Sequence, residues 1–161
     1  MEKQKIYLDT SIPSAFFDQS KPVRQLITQK WFENEAEKFE LYTSVITIDE
    51  VDKFLNVNKK DNINKLLIDC DVTILELSRQ AHDLATEYIK SGAIPKTEPE
   101  DALHISIATI NEIKALASWN FKHIVSFNPI RKIHEINHKF NYTVIEIGSL
   151  ELFGGAQYGN I

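Results

Sequence analysis

The chain has 161 residues, and its 18 basic and 23 acidic side chains leave a net charge of −5. This length predicts one domain with its own hydrophobic core, and 43% hydrophobic with 25% charged residues excludes a disordered or collagen-like chain. A lone cysteine excludes an internal disulfide and a cysteine-rich zinc site. The acidic balance argues against a protein that holds nucleic acid by bulk charge alone.

The N-terminal residues argue against export or membrane insertion. Residues 1–5 are mostly polar and lead into only a short apolar run, so no signal peptide is visible. No apolar stretch approaches the roughly 18 residues that a membrane-spanning helix needs. We therefore expect a cytoplasmic protein with no membrane partner.

Short β-prone runs and amphipathic segments alternate along the chain. The run 6–8 predicts a first strand, followed by a turn in which Pro13 opens a helical turn. Further strands are predicted at residues 41–43, 72–75, 115–118 and 142–145. Apolar residues at three- and four-residue steps predict helices over residues 22–38, 48–55, 61–68, 78–89, 99–114 and 128–140. Ser78 is the expected N-cap of its helix, and Gly92 its expected end.

This alternation predicts a parallel sheet covered by helices on both faces. No repeat and no Gly/Ser/Pro-rich linker divides the chain, so we expect a single domain over residues 1–150. Residues 151–161 are rich in glycine and are expected to form a mobile tail.

Four polar residues follow the predicted strands or lie in the adjoining helices. Asp9 follows the first strand, and Asn120 follows the strand at 115–118. Glu50 lies in the helix after the second strand, and Asp101 in the first turn of the helix before the 115–118 strand. Ligands bind beyond the carboxyl ends of the strands in such sheets, so these side chains could converge. Converging carboxylates need a cation or protons to neutralise them, and oxygen ligands suit Mg²⁺ or Mn²⁺.

Each of these residues also has a purely structural interpretation. Asp9 could cap the turn that follows it, and Asn120 could cap the next helix. Glu50 and its two acidic neighbours could form a solvated helical face. Asp101 could stabilise a helix dipole, as acidic residues at helix N-termini commonly do. His104 is expected to pack or hydrogen-bond inside the fold rather than act as a general base.

The sequence also resembles a known family in four successive motifs. These are residues 6–11 (IYLDTS), Ser44 with Glu50, residues 101–108 (DALHISIA) and residues 118–124 (SWNFKHI). Their order and spacing are similar to those of PIN-domain proteins, above all the VapC-like branch, the toxin halves of toxin–antitoxin pairs. The resemblance covers roughly residues 5–147.

The resemblance implies a three-layer α/β/α sandwich with a central, mostly parallel sheet. It implies that Asp9, Glu50 and Asp101 bind Mg²⁺ or Mn²⁺. The fourth position of the family motif, commonly Asp, is Asn120 here. An asparagine can ligate through its carbonyl oxygen but adds no negative charge, so a second metal ion would be held more weakly.

The same resemblance implies an endoribonuclease that leaves a 5′-phosphate and a 3′-hydroxyl. Thr10 or Ser11 is expected to add a hydroxyl to the pocket. The implied partners are an RNA substrate, a small antitoxin protein and a second copy of the chain in a homodimer. Because Asn120 lacks a charge, a PIN-like module that binds RNA or protein without cleavage is the alternative.

An aspartyl-nucleophile phosphatase is a poor third interpretation, since Ser11 stands where that chemistry needs a second Asp. The C-terminal third is locally basic despite the acidic total, and these side chains could guide an RNA backbone or form a solvated helix face. They are Lys122, His123, Arg131, Lys132 and Lys139.

Overall fold

The computed structural model of the protein describes residues 2–159. Within them, five strands form one wholly parallel sheet in the order β3-β2-β1-β4-β5. The strands are β1 (Gln4–Leu8), β2 (Phe39–Ser44), β3 (Thr73–Leu75), β4 (Ala115–Ala117) and β5 (Glu146–Gly148).

Helices connect the strands, as the predicted alternation requires. They are α1 (Ser11–Phe16), α2 (Pro22–Asn34), α3 (Val45–Asp52), α4 (Val57–Asp69), α5 (Arg79–Lys90), α6 (Pro99–Ile110) and α7 (Phe127–Lys139). A short 3₁₀ turn, Ala36–Lys38, precedes β2. Among the helices of residues 2–159, none has both the length and the apolar character to cross a membrane.

The sheet is covered on both faces, and β1 shows how its residues divide. Ile6, Tyr7 and Leu8 are all fully buried, as expected for a central parallel strand. Tyr7 packs into a core with residues of α5, α6 and α7. Ile6 and Leu8 point to the other face and pack with residues of α1 and α2. The predicted three-layer α/β/α sandwich is confirmed.

Caps place the helices that carry site residues. β2 runs into α3 without a loop, and the Ser44 hydroxyl accepts a hydrogen bond from Ile46 N at 3.2 Å as the N-cap. Ser78 caps α5 as predicted, accepting from Ala81 N at 3.1 Å. Gly92 follows the end of α5 with φ +80°, a conformation that glycine adopts without strain.

The predicted end of α6 was wrong, and non-glycine residues with positive φ follow three of the helices. Asp71, Glu112 and Asn141 all have positive φ, between 56° and 62°. After each, the next amide bonds back to a carbonyl five residues earlier, as Ile113 N does to Ala108 O at 2.9 Å. This left-handed cap ends α6 at residue 110 rather than 114, and no glycine announced it.

The last strand was also predicted in the wrong place. Residues 142–145 form a connection, and β5 is Glu146–Gly148. Both segments have β-prone residues, but β4 offers only three residues, and they pair with Glu146, Ile147 and Gly148. Pairing with β4 therefore decides which of the two segments forms the last strand.

Smaller corrections concern helix starts. Pro13 is the third residue of α1 rather than its first, and α7 begins at Phe127 after Ser126 rather than at residue 128. α3 ends at Asp52, which leaves Leu55 outside it and exposed. α4 begins at residue 57, earlier than predicted, because Asn56 caps it by accepting from Lys59 N at 3.1 Å.

The segment after residue 150, expected to be mobile, forms helical turns against α2 at Glu151–Gly155 and Ala156–Tyr158. Trp31 Nε1 donates to Phe153 O at 2.9 Å. Glu35, just after α2, accepts hydrogen bonds from Gln157 and Tyr158. Residue 1 and the last two residues of the predicted tail, 160 and 161, lie outside the described residues.

Candidate functional site

A cavity of about 220 Å³ lies beyond the carboxyl ends of β1 and β4. All four residues singled out from the sequence line it, together with both predicted hydroxyl residues. The complete lining is Asp9, Thr10, Ser11, Ser14, Glu50, Phe54, Asp101, His104 and Asn120. We refer to it as the acidic cavity.

Asp9 lies at the floor of the acidic cavity and is only 3% exposed. Its backbone N donates to Ala117 O at 3.2 Å, which extends the pairing of β1 with β4. Oδ1 accepts from Ser11 N at 3.0 Å and from Ser11 Oγ at 2.5 Å, and Oδ2 accepts from the Ser118 hydroxyl. The carboxylate therefore caps the first turn of α1, as the structural interpretation proposed, while it also lines the cavity.

Glu50 is held by a chain of hydrogen bonds that starts in the core. Its Oε1 lies 2.7 Å from His104 Nε2 and accepts from Thr10 Oγ1 at 2.7 Å. His104 Nδ1 in turn lies 2.7 Å from the hydroxyl of Tyr7, which contacts Ser44 Oγ at 2.7 Å. A neutral imidazole satisfies both contacts if Nε2–H donates to Glu50 and Nδ1 accepts from Tyr7. This chain fixes the Glu50 carboxylate at the cavity wall.

Asp101 and Asn120 form another hydrogen-bonded pair in the lining of the acidic cavity. Asn120 Nδ2 donates to Asp101 Oδ2 at 3.1 Å. Asn120 Oδ1 accepts from His123 N at 2.9 Å, so it also caps the turn that follows it. The amide nitrogen, which cannot ligate a cation, is therefore the group that faces Asp101. Because Asn120 Oδ1 already accepts from His123 N, direct ligation by Asn120 would use the second lone pair of that oxygen.

Of the described residues that line the acidic cavity, His104 is the one basic side chain, and it contacts Glu50. No lysine or arginine of residues 2–159 lines the cavity. Burial, and then the nearby charge of Asp9, raises the pKa of Asp101 to about 7. Burial also raises the pKa of Asp9, against the influence of His104 and two serine hydroxyls. Burial acts the same way on Glu50, but its hydrogen bonds to His104 and Thr10 outweigh it, and the pKa of Glu50 lies below its usual value.

These residues fit a divalent cation by their chemistry. Three carboxyl groups line one small cavity, and a raised pKa shows that negative charge there is under-compensated. Within residues 2–159, no three His, Cys, Asp or Glu side chains are already arranged around a point that could hold a metal ion. Asp9 and Glu50 direct oxygens toward hydroxyl and imidazole partners.

Sequence reasoning placed too little weight on some residues of the site. His104 does hydrogen-bond inside the fold, as expected, but its partner is Glu50. Ser118 belongs to the fourth motif without a predicted role, and its hydroxyl donates to Asp9. Its position at the end of β4, which pairs with β1, was the available signal. Ser14 and Phe54, which also line the cavity, carry no signal in the sequence pattern.

Comparison with known proteins decides the family, because the PIN domain family matches residues 6–123, most of the chain. The chain belongs to the PIN-domain family. PIN domains are generally nucleases and typically use divalent metal ions. The match ends beyond Asn120, so it includes all four singled-out residues of the acidic cavity.

Among solved structures, this PIN domain is similar to a chain of the crystal structure of VapBC2 from Rickettsia felis bound to a DNA fragment from their promoter. The two chains share 16% sequence identity and superpose with a TM-score of 0.51, over 88% of this chain and 98% of the other. At this identity the likeness shows the fold. No curated protein sequence matches the chain.

Proposed function

We propose that this PIN domain is a divalent-metal-dependent endoribonuclease that hydrolyses phosphodiester bonds of RNA, and that it is the toxin of a type II toxin–antitoxin pair. One observation carries the proposal: Asp9, Glu50 and Asp101 line a single cavity whose described lining includes no lysine or arginine to balance them. A cation that neutralises such a cavity also attracts a phosphate, which carboxylates alone would repel.

Asp9, Glu50 and Asp101 would hold Mg²⁺ or Mn²⁺, which when bound would polarise the phosphate and activate water for attack. The protein's own contribution is to orient the carboxylates. Hydroxyls of Ser11 and Ser118 hold Asp9, and the Tyr7–His104 pair holds Glu50. These partners keep the carboxylates in place for ligand binding, as outer partners of metal ligands commonly do.

Asn120 has a different role in this proposal from that of the three carboxylates. Its amide nitrogen holds Asp101 Oδ2, while its oxygen is engaged with His123 N. We therefore propose that Asn120 acts on the metal through Asp101. As the sequence indicated, the absence of a fourth carboxylate favours one tightly held cation over two.

The direct test incubates the full-length protein with labelled single-stranded RNA and Mg²⁺ or Mn²⁺. We expect cleavage, its loss with a chelator, and a fall of at least about 100-fold in the Asp9→Asn variant, as for loss of a charge-stabilising group. Asp49→Asn is the matched control, because Asp49 is exposed on α3 and does not line the cavity. Cleavage that persists in Asp9→Asn or in chelator would contradict the proposal.

The proposed partners can be tested separately from the chemistry. The similar solved structure is that of VapBC2 bound to a DNA fragment from their promoter. By analogy with that toxin–antitoxin pair, we propose that this chain pairs with a small antitoxin. Co-expression with the small protein encoded by a gene immediately upstream should yield a complex that elutes as one species. The chain alone should elute as a homodimer. Separate elution of the two proteins would contradict the antitoxin assignment, and a monomer would contradict the homodimer.

The second candidate is a module that binds RNA or protein without cleaving it. The observation in its favour is Asn120, which presents an amide nitrogen where a fourth carboxylate would otherwise stand. This candidate predicts RNA binding that is equal in the intact protein and in Asp9→Asn, with no products in either. The nuclease assay distinguishes the two.

A further inference from the structure

A second, smaller hollow of about 150 Å³ adjoins the acidic cavity. The two share Ser11, Ser14 and Asn120 in their linings. The hollow has the opposite chemical character, because Lys21 and Arg24 line it, whereas no lysine or arginine of the described chain lines the acidic cavity. A basic surface thus begins where the acidic one ends.

Arg24 is held in place by aromatic rings. Its guanidinium lies 5.2 Å from the centre of the Phe121 ring and 5.7 Å from that of Trp119. Trp119 is itself fixed, since its Nε1 donates to Thr28 Oγ1 at 3.0 Å and its backbone N donates to Ser11 Oγ at 2.8 Å. Ser11 also binds Asp9, so one hydroxyl connects the aromatic support of Arg24 to the floor of the acidic cavity.

The guanidinium keeps its hydrogen-bonding capacity for a ligand. Among residues 2–159, no carboxylate forms an ion pair with Arg24, and no side chain or backbone oxygen accepts from its guanidinium. An arginine offers five N–H donors in a planar fork that matches phosphate oxygens. Stacking on rings orients that fork while leaving its donors unused.

Local charge also favours an anion in the hollow. The one acidic residue in its lining, Asp18, is already engaged, since it accepts from Ser20 N at 3.0 Å and from Ser20 Oγ at 2.6 Å. Lys21 is exposed and forms no ion pair within the described residues. Two cations therefore face the hollow against one engaged carboxylate.

We propose that Arg24 binds the phosphate next to the one cleaved, so that single-stranded RNA spans the acidic cavity and the basic hollow. Phe121, which is 42% exposed, supports Arg24 and offers its free surface to the adjoining base. This inference rests on the proposed nuclease function. It assigns the basic hollow as the place where the RNA strand passes out of the acidic cavity. The strand therefore has a defined path despite the acidic net charge of the protein.

The test measures binding of a short, fluorescein-labelled single-stranded RNA of mixed sequence by fluorescence anisotropy. The full chain is used in the Asp9→Asn background with Mg²⁺, so cleavage does not interfere. Arg24→Ala should weaken binding about 10- to 100-fold, the range for a lost hydrogen-bonded charge contact, and lower the salt-dependence slope by about one. Arg24→Lys should recover part of the affinity, because it keeps the charge but loses the fork.

Arg79→Ala is the matched control, because Arg79 is an exposed arginine at the start of α5 that lines neither cavity. It should bind RNA as the parent does. Unchanged binding in Arg24→Ala, or an equal loss in Arg79→Ala, would overturn the proposal. Melting temperatures are compared in parallel, and if Arg24→Ala unfolds, Arg24→Gln decides the same question with its stem retained.

Failure of this inference is distinguishable from failure of the proposed function. If the parent protein cleaves RNA and Arg24→Ala binds it normally, only the basic hollow is misassigned. If the protein cleaves no RNA with either metal ion, the nuclease proposal fails whatever the binding assay reports.

Discussion

Glu35 and Asp101 are both shielded from water, but the protein treats their charges in opposite ways. Glu35 accepts hydrogen bonds from Lys38 Nζ at 2.7 Å, Gln157 Nε2 at 2.8 Å and Tyr158 OH at 2.9 Å. The bond from Lys38, above all, lowers the pKa of Glu35. In contrast, the Asp101 carboxylate accepts one side-chain hydrogen bond, from Asn120, and its pKa is raised to about 7.

The difference separates a structural carboxylate from one that we propose to be functional. Glu35 has its partners within the fold, and they tie the C-terminal segment to α2, so its charge contributes to stability. Asp101 lies near Asp9 in a cavity whose described lining includes no lysine or arginine, so its charge costs stability until a cation arrives. Perturbed carboxyl groups that gather in a cleft are typical of active sites for this reason.

The contrast between Asp101 and Glu35 is tested most strongly by a substitution that removes the charge of Asp101. Asp101→Asn should reduce RNA cleavage by at least about 100-fold, because a carboxylate proposed to hold the cation is lost. Its free energy of unfolding without metal ions should not fall, since the lost charge was unfavourable. Cleavage rates and urea denaturation in chelator measure both effects. Glu100→Gln, the adjacent acid outside the cavity lining, should change neither.

Making Glu35 neutral should have the reverse effect. Glu35→Gln places an amide where Lys38 needs an acceptor, so the free energy of unfolding should fall by about 1–3 kcal/mol. Cleavage per folded molecule should stay unchanged. Glu33→Gln is the control, because Glu33 forms only an exposed ion pair with Lys30 and should cost at most about 0.5 kcal/mol. Equal destabilisation by both substitutions would remove the distinction between the two regions.

Asn120→Asp sharpens the comparison by adding a charge to the acidic cavity. The new carboxylate would face Asp101, so we expect the metal-free protein to lose about 1 kcal/mol of stability through repulsion. Mn²⁺ should then bind about tenfold more tightly, which raises its stabilising effect by about 1.4 kcal/mol at a fixed concentration well above both dissociation constants. Thermal unfolding with and without Mn²⁺ measures this, with Asn120→Ala as the uncharged control. An unaltered response to Mn²⁺ would place residue 120 outside the metal's influence.

The sequence predicted the composition of the acidic cavity better than its internal contacts. Asp9 and Asn120 directly follow neighbouring strands, and parallel topology brings such positions to one edge. The contact of His104 with Glu50 joins residues 54 apart, and periodicity carries no information on such a pair. The orientation of the Asn120 amide was equally hidden, because it depends on one backbone N–H, that of His123.

Fold prediction shows the same division between pattern and context. Alternating strands and helices indicated the layers, and buried β1 confirmed them. The end of α6 was missed because a left-handed residue is expected to be glycine, whereas here Glu112 adopts a positive φ. The place of β5 depended on β4, which the local sequence does not reveal.

The last prediction is a pH dependence that belongs to Asp101. Because its folded pKa of about 7 exceeds its ordinary value of 3.8, the folded state keeps a proton there that the unfolded state releases. Asp101 therefore lowers the free energy of unfolding progressively as pH rises from about 4 to 7, with no further change above that. Groups with a lowered pKa, such as Glu35, change the free energy of unfolding with pH in the opposite direction. They are present in both the parent and Asp101→Asn, so the difference in free energy of unfolding between these two proteins isolates the contribution of Asp101. Urea denaturation in chelator should show Asp101→Asn gaining stability over the parent between pH 4 and 7, and saturating Mg²⁺ should remove much of that gain. A constant difference across this range would mean that Asp101 is as well compensated as Glu35.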